Sequence, residues 1–200
     1  FLKRLKKNGS KFSYRKVKNK SKKVYEANIT VFDALKKTDY DSKGKFLLER
    51  YVSAHSIMIS LEGIPAIYFN SLFGKSNDEA KYIITGNNRD VNRYKWNYKN
   101  ISKKLSNKNS KQSIFFQKIS NLLSIRRKQK AFHPNASRHN INLGSKIFSF
   151  KRISINKEQT IICITSLASK DQKVQLDKVY HNWKNLIGPK IKIKNNFLVL

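Results

Sequence analysis

Acidic side chains are scarce in this 200-residue chain, which holds 12 aspartates and glutamates against 43 lysines and arginines. The formal net charge of +31 normally points to nucleic acid or another anionic surface. Lysine, however, is scattered from end to end among asparagine, isoleucine and serine, and arginine is much rarer. This pattern is typical of an AT-rich coding bias, so we predict no nucleic-acid partner. A basic nucleic-acid-binding protein stays the alternative, and it requires arginines clustered with aromatic residues on one face.

Cysteine and long apolar runs are also nearly absent. The single cysteine, Cys163, excludes a disulfide within the chain, and its place in "TIICIT" predicts a small buried hydrophobic residue. No apolar run is long enough to cross a bilayer, and no apolar stretch follows the basic opening as it does in a signal peptide. The sequence therefore predicts a cytoplasmic protein without a membrane partner.

The rest of the composition is that of a folded chain. Hydrophobic residues make up 39% of it, and twelve of them are phenylalanines. The length allows one domain or two small ones. Because the chain opens "FLKRLKKNGSKF" without an initiating methionine, we expect it to be a piece of a longer protein.

The clearest helical pattern lies in "FLLERYVSAHSIMISLEG", where apolar side chains recur every three or four residues. These side chains are Leu47, Tyr51, Ala54, Met58 and Leu61. Gly63 and Pro65 predict the end of this helix. His55 lies one position from the apolar stripe, and because no second His or Cys stands at ligand spacing, we predict a structural histidine.

The run "IPAIYF" follows directly and predicts a strand buried in a parallel sheet. The segment Tyr25 to Phe32 before the helix predicts a short extended segment leading into a turn, so the order of elements favours a βαβ arrangement. A loop from "NSLFGKSND" to about Asn97 is then expected. It starts where α/β barrels place their active-site loops, at the C-terminal end of a strand.

A second helix is predicted from about Ser110 to Lys130, preceded by a solvated loop over residues 98–111. Its core face is formed by Phe115, Phe116, Ile119, Leu122, Leu123 and Arg126. After residue 136 the pattern changes to short strands, "KIFSFKRISI", "TIICITSL", "QKVQL", "IKIK" and "NFLVL", with "NKEQ" as a hairpin turn. The sequence thus predicts an α/β part over residues 1–136 and a small antiparallel β domain over residues 137–200.

Four motifs carry a resemblance to a known family. In order, "YEANITVFDAL", "SIMISLEGIPAIYFNSLFGKSND", "TGNNRDVNR" and "KAFHPNA" resemble the sucrose phosphorylase subfamily of the alpha-amylase glycoside hydrolase superfamily. The resemblance implies that residues 1–136 are the C-terminal portion of a (β/α)8 TIM barrel, with its last strand and last two helices. Residues 137–200 would then be the β domain that follows the barrel.

The resemblance also implies a reaction. Such enzymes are retaining alpha-glucosyl phosphorylases, which transfer glucose from sucrose or a related alpha-glucoside to inorganic phosphate and form alpha-glucose 1-phosphate. They need no cofactor or metal. The catalytic carboxylates of the family lie upstream of the segment that matches residue 10, so the resemblance places no catalytic residue in these 200 residues and implies an inactive piece. A non-catalytic, truncated relic is the alternative.

The resemblance implies three substrate-binding residues, Arg89, Tyr25 and Glu26, and Asp90 beside Arg89 is a fourth candidate. Arg89 matches the arginine that contacts the glucosyl unit, and the alternative is a loop arginine paired with Asp90 or Asp78. Asp90 would either accept from a sugar hydroxyl or orient Arg89. Tyr25 and Glu26 match the mobile acceptor loop, and the sequence "KVYE" there is closer to members that act on glucosylglycerate or phosphorylated sucrose. The sequence determines neither the acceptor nor the oligomeric state.

Overall fold

A computed structural model of the chain describes residues 1–17, 21–175, 183–188, 193–194 and 197–199. These residues fall into two compact units. The first consists of residues 1–52 and 66–119, and the second consists of residues 53–65 and 120–200.

The described chain combines short helices with small antiparallel sheets. The α-helices are α1 (Leu2–Lys7), α2 (Val31–Lys36), α3 (Leu47–Ser60), α4 (Phe69–Leu72), α5 (Glu79–Thr85), α6 (Tyr98–Ser106) and α7 (Lys111–Arg127). Two 3-10 helices cover Asn88–Asn92 and Lys130–Phe132. The strands are β1 (Lys11–Lys16), β2 (Lys22–Asn28), β3 (Ser137–Asn140), β4 (Ile147–Ile153), β5 (Thr160–Ser166), β6 (Lys173–Gln175), β7 (Ile193–Lys194) and β8 (Phe197–Val199).

Helix α3 confirms the first predicted helix but not the predicted stripe. Its buried positions are Tyr51, His55, Ile59 and Ser60, so the buried face includes the histidine and not Ala54 or Met58. His55 is therefore a packed residue of the helix, as predicted, and it lies on the stripe. An i, i+4, i+8 spacing lines one face of a helix as well as the predicted spacing does, so the pattern alone did not fix the rotation of the helix.

Aromatic side chains form the core of the first unit. Phe115 of α7 packs against Tyr51 and Phe32, with ring centroids 4.9 and 5.6 Å away. The Tyr51 hydroxyl donates to the Ser71 carbonyl oxygen at 2.6 Å, which satisfies its only polar group. Burial of the phenol raises the pKa of Tyr51 to about 12.

Helix α7 confirms the second predicted helix. In the second unit, its C-terminal half makes hydrogen bonds to the C-terminal end of α3. Arg126 donates to the carbonyl oxygens of Ile59, Leu61 and Gly63. Arg152 of β4, which is fully buried, donates to the Ser60 carbonyl oxygen at 2.9 Å. The last carbonyl oxygens of a helix have no hydrogen-bond donor within the helix. These two guanidiniums supply donors to such oxygens at the end of α3.

The strand predicted at "IPAIYF" is wrong. Residues 64–68 form no regular structure, Ile64 is 84% exposed and Tyr68 is 55% exposed. A strand exists only where a neighbour supplies backbone hydrogen bonds, and every sheet among the described residues is antiparallel and lies elsewhere in the chain. The described residues therefore contain no parallel sheet.

The long loop predicted up to Asn97 is also wrong, because it contains α4, α5 and a 3-10 helix. Helix α5 begins at Asp78, whose Oδ1 accepts from the Lys81 amide at 3.2 Å. It ends at Gly86, whose φ of +65° is the left-handed conformation that glycine adopts without strain.

The solvated loop predicted at 98–111 is helix α6 over most of its length. Asn97 caps this helix, with its Oδ1 accepting from the Asn100 amide at 3.2 Å. Ile101 is its buried anchor. A lysine-rich composition thus concealed a capped helix with one apolar contact per two turns.

The segment from Tyr25 to Phe32 is extended only as far as Asn28, where β2 ends. Instead of a turn, α2 follows, because Thr30 caps its N-terminus. Thr30 Oγ1 accepts from the Asp33 amide at 3.2 Å and donates to the Asp33 carboxylate at 3.3 Å.

The short strands predicted after residue 136 are confirmed where they are described. The order in one sheet is β3-β4-β5 and in the other β6-β8-β7, with Phe150 of β4 opposite Cys163 of β5. The "NKEQ" turn joins β4 to β5, and Lys157 takes a φ of +60° there. Residues 191–192 of "IKIK" and Leu176 of "QKVQL" lie outside the described residues.

Cys163 is half-buried and free, in line with the prediction that it packs as a small hydrophobic residue. Desolvation raises the pKa of its thiol to about 11. A thiol that stays protonated at neutral pH is a poor nucleophile.

Candidate functional site

A bulge in the β1–β2 hairpin presents two of the predicted site residues. Ser13 pairs with Glu26 and the next residue, Tyr14, pairs with Val24, so Tyr25 is an extra residue in β2. In a regular strand adjacent side chains point to opposite faces. The bulge relaxes this alternation, and consecutive Tyr25 and Glu26 side chains both reach the guanidinium of Arg89.

The backbone around Arg89 is fixed by asparagines. After Gly86 ends α5, Asn87 caps the first 3-10 helix, with its Oδ1 accepting from the Arg89 amide at 3.1 Å. Asn88 Nδ2 donates to the Phe12 carbonyl oxygen of β1 at 3.1 Å. The run "TGNN" therefore attaches this helix to the hairpin and places Arg89 beside β2.

The centre of the site is an ion pair between Arg89 and Glu26. Arg89 Nε donates to both carboxylate oxygens of Glu26, at 3.1 and 3.2 Å. The side chains are 48% and 30% exposed, so the pair lies at the surface and is open to a ligand. The hydrogen bonds to Glu26 raise the pKa of Arg89, and Tyr25 adds a smaller contribution of the same sign. We call these three residues the Arg89 cluster.

Asp90 points away from the Arg89 cluster. Its Oδ1 lies 3.1 Å from Lys81 Nζ of α5, and hydrogen bonds from Thr85 and Lys81 lower the pKa of its carboxyl. Asp78 is used as the cap of α5. Neither acid pairs with Arg89, so the alternative of a loop arginine held by Asp90 or Asp78 is not what the structure has.

The first unit also contains a buried polar cluster that the sequence analysis did not single out. The Asp33 carboxylate accepts from the Asn77 amide at 2.5 Å, and Asn77 Oδ1 accepts from the Thr30 amide at 2.9 Å. Asn77 Nδ2 reaches the Gly9 carbonyl oxygen at 3.2 Å. These contacts tie α2 to the segment before α5. Only the T-x-x-D spacing of Thr30 and Asp33 signals this cluster in the sequence.

The Arg89 cluster is suited to binding and not to catalysis. Guanidinium, carboxylate and phenol together offer the donors and acceptors that match vicinal hydroxyls. Its one carboxylate is engaged by Arg89, and the described residues hold no group of three or more His, Cys, Asp or Glu that would bind a metal ion. Among the described residues, no helix is long and apolar enough to cross a membrane.

Solved structures define the class of fold. The chain superposes on the crystal structure of sucrose 6F-phosphate phosphorylase from Thermoanaerobacter thermosaccharolyticum with a TM-score of 0.59, at 21% identity over 82% of this chain and 32% of that chain. It superposes on trehalose-6-phosphate hydrolase from Bacillus licheniformis with a TM-score of 0.57, at 13% identity over 80% and 38%. The chain thus shares its fold with a part of each of these two enzymes.

Curated relatives that resemble the chain are named phosphorylases. The chain is 36% identical over 112 residues to a glucosylglycerate phosphorylase of Allomeiothermus silvanus, which covers 56% of this chain and 20% of the relative. It is 29% identical over 151 residues to the glucosylglycerate phosphorylase of Escherichia coli, covering 76% and 26%. A sucrose phosphorylase of Agrobacterium vitis is 28% identical over 127 residues, covering 64% and 23%.

The resemblance to the sucrose phosphorylase subfamily is thereby confirmed. The chain spans about a quarter of the length of the curated relatives it matches. No protein-family model matches it.

Proposed function

We propose that this chain is the C-terminal part of a retaining alpha-glucosyl phosphorylase that works in the cytoplasm. Residues 1–136 belong to its (β/α)8 barrel, and residues 137–200 form the β domain after the barrel. The observation that carries the proposal is the Arg89 cluster, in which three residues from two motifs of the resemblance meet at one guanidinium.

In this proposal the substrate contacts are divided between the two halves of the glucoside. The fork of Arg89 donates to neighbouring hydroxyls of the glucosyl unit, and Tyr25 and Glu26 contact the acceptor. Asp90 acts indirectly, since its ion pair with Lys81 holds the turn that carries Arg89.

The bond changes follow retaining glycosidase chemistry. One carboxylate attacks the anomeric carbon while a carboxylic acid protonates the leaving oxygen, and inorganic phosphate then displaces the enzyme to give alpha-glucose 1-phosphate. By the resemblance, both groups belong to the part of the enzyme that precedes the segment matching residue 10. The present residues supply binding alone, without a cofactor.

Among the acceptors, we favour glycerate over fructose. The relatives with the longest matches are named glucosylglycerate phosphorylases. A carboxylate-bearing acceptor also suits this chain, in which the cations outnumber the acids and Lys23 stands two residues before Tyr25.

A chimera tests the proposal. The segment of the Escherichia coli glucosylglycerate phosphorylase that matches this chain is replaced by these residues, and phosphate-dependent release of glucose 1-phosphate is measured from glucosylglycerate and from sucrose. We expect phosphorolysis, with glucosylglycerate preferred. A Glu26→Gln chimera should change the ratio of the two rates, because Glu26 faces the variable half. A folded chimera that hydrolyses or ignores both donors at every phosphate concentration would contradict the proposed function.

A further inference from the structure

A cavity of about 600 Å³ lies entirely within the second unit, apart from the Arg89 cluster. It opens where the 3-10 helix Lys130–Phe132 meets the turn between β4 and β5. Phe132, Pro134 and Ile155 give it an apolar wall, and Ile155 is 62% exposed. An apolar wall of this kind suits the body of an organic molecule.

The amide side chains in the lining have their oxygens engaged. Gln129 Oε1 accepts from Gln159 Nε2 at 2.8 Å, and Asn156 Oδ1 accepts from Ser154 Oγ at 2.8 Å. Among the described residues, none accepts a hydrogen bond from Gln129 Nε2, whereas the side chain of Asn156 also donates to the Glu158 carboxylate. Gln129 therefore brings a free donor to the cavity, and neither amide brings an unused acceptor.

The titratable side chains of the lining are donors as well. His133 Nδ1 accepts from the Asn135 amide at 3.2 Å, so the neutral ring carries its proton on Nε2. Arg127 is exposed, and within the described ranges no residue accepts from its guanidinium. Lys130 is the exception, since it pairs with Glu158 at 3.0 Å. A lining of donors selects a ligand that brings the acceptors.

Two further cations stand behind the apolar wall. The guanidinium carbons of Arg126 and Arg152 lie 5.5 and 6.0 Å from the centroid of the Phe132 ring. Both side chains donate to neutral backbone carbonyls, and Glu62 offsets only part of the charge of Arg152. Burial lowers the pKa of both groups, but the ordinary pKa of arginine is so high that they stay protonated at neutral pH. The cavity thus lies in a positive potential.

We propose that this cavity is a binding site for an organic anion that joins one phosphate or carboxylate head to a flat apolar body. The head accepts from Arg127, His133 and the amide of Gln129, and the body lies against Phe132 and Pro134. This site is independent of the proposed phosphorylase reaction.

The test uses the 200-residue chain and three probes that separate head from body. Binding of 1-naphthyl phosphate, inorganic phosphate and 1-naphthol is measured at one ionic strength by titration calorimetry and by amide chemical shifts. We expect 1-naphthyl phosphate to bind at least about tenfold more tightly than either part alone, because one charge-assisted hydrogen bond is worth about that factor. Shifts should centre on residues 127–135 and 154–156.

Two variants and a matched control test whether the residues that line the cavity bind 1-naphthyl phosphate. Arg127→Glu should weaken binding at least about tenfold, whereas Lys128→Glu makes the same change of charge one residue away, outside the lining, and should have little effect. Gln129→Glu keeps the hydrogen bond accepted from Gln159, removes a donor and should also weaken binding.

Three outcomes overturn the proposal. Equal losses from Arg127→Glu and Lys128→Glu would mean that bulk charge alone attracts the probe. Equal affinity for 1-naphthol and 1-naphthyl phosphate would mean an apolar cleft without an anion site. No binding of 1-naphthyl phosphate at millimolar concentration would mean no site at all.

Discussion

Arg89 meets Glu26 through Nε alone, so that carboxylate does not hold its two terminal nitrogens. A guanidinium used in this way keeps a planar pair of donors at its outer end. Such a pair matches two neighbouring hydroxyls on a pyranose ring, while the ammonium group of lysine provides a point charge without a fixed direction.

Arg89→Lys in the chimera should therefore reduce kcat/KM even though the charge is kept. Loss of one charge-assisted hydrogen bond is worth about 1.5–3 kcal/mol, or roughly ten- to a hundredfold in rate. The loss should be equal for glucosylglycerate and sucrose, because both share the glucosyl unit. Arg93→Lys is the control. Arg93 is an exposed residue of the same motif, "TGNNRDVNR", and among the described residues it makes no hydrogen bond to Glu26. Steady-state rates near the parental values for Arg89→Lys would show that Arg89 only braces the turn.

Lys111 should make the free energy of unfolding depend on pH. Its Nζ lies 3.6 Å from the centroid of the Phe32 ring, and burial lowers its pKa from 10.5 to about 8 although Asp33 acts in the opposite direction. The folded state therefore binds fewer protons than the unfolded state between about pH 8 and 10.5, and stability should rise with pH across that window.

Lys111→Met keeps the apolar stem over the ring and removes the ammonium. The free energy of unfolding at pH 7 should rise, and the slope between about pH 8 and 10.5 should flatten. Lys103→Met, at an exposed position of α6, should change neither. Urea unfolding across the pH series measures both effects, and an unchanged slope in Lys111→Met would contradict this account.

The residues of the site were predictable from the sequence only through the order of the motifs. Tyr25, Glu26 and Arg89 come from two separate motifs, and their contact spans 63 residues, a pairing that no local pattern encodes. The bulge at Tyr25 is equally hidden, because it depends on the register of β2 against β1. The binding roles of Tyr25, Glu26, Arg89 and Asp90 remain predictions.

At the scale of elements, long periodic helices were predictable and short capped ones were not. α3 and α7 repeat their apolar side chains over several turns, whereas α5 and α6 depend on the caps Asp78 and Asn97. The run "IPAIYF" was wrongly predicted to be a strand. An apolar sequence favours burial, but it does not indicate which strand would pair with the segment. Burial in a sheet depends on partners elsewhere in the chain.

The C-terminal end of α3 gives an element-scale prediction. Arg152→Met should lower the free energy of unfolding by roughly 3 kcal/mol, because the carbonyl oxygens that Arg152 satisfies stay buried without a donor. Lys151→Met, on the other face of β4, is the matched control. Thermal or urea unfolding followed by circular dichroism measures the difference. Similar stability in the two variants would mean that water replaces the guanidinium.

Most described carboxylates of the whole molecule are already engaged in ion pairs. The pairs are Lys11–Glu79, Arg50–Asp41, Lys81–Asp90, Arg89–Glu26, Lys130–Glu158 and Arg138–Glu62. Residues 91–157 contain no acidic residue, so the cations of this long stretch repel one another without relief from a neighbour in sequence. Each surface ion pair stabilises the fold by about 0–1 kcal/mol. With a net charge of +31, the repulsion among the cations therefore affects stability more than the ion pairs do.

Salt should therefore stabilise the chain. The melting temperature is expected to rise as sodium chloride goes from about 0.05 M to about 0.5 M, because screening reduces repulsion among many charges and weakens only a few ion pairs. Calorimetry in a buffer free of multivalent anions measures this. A melting temperature that falls with salt would show that the ion pairs dominate.

The 200-residue chain by itself should not release glucose 1-phosphate from any alpha-glucoside. The resemblance places no catalytic carboxylate within it, and loss of both groups removes the reaction path itself. Coupled detection of glucose 1-phosphate with sucrose and glucosylglycerate tests this, with the Escherichia coli relative as the positive control. Phosphate-dependent product from the purified chain would contradict it.

The bulge at Tyr25 also makes the contacts of Tyr25 and Glu26 with Arg89 depend on the number of residues in β2. Loss of a single codon within β2 would restore even pairing with β1 and turn either the phenol or the carboxylate away from Arg89. Under the proposed function, a one-residue deletion here would alter recognition of the acceptor, while Arg89 would stay in place to contact the glucosyl unit. Proteins with that function could then diverge in acceptor by a change of length, without any exchange of one side chain for another.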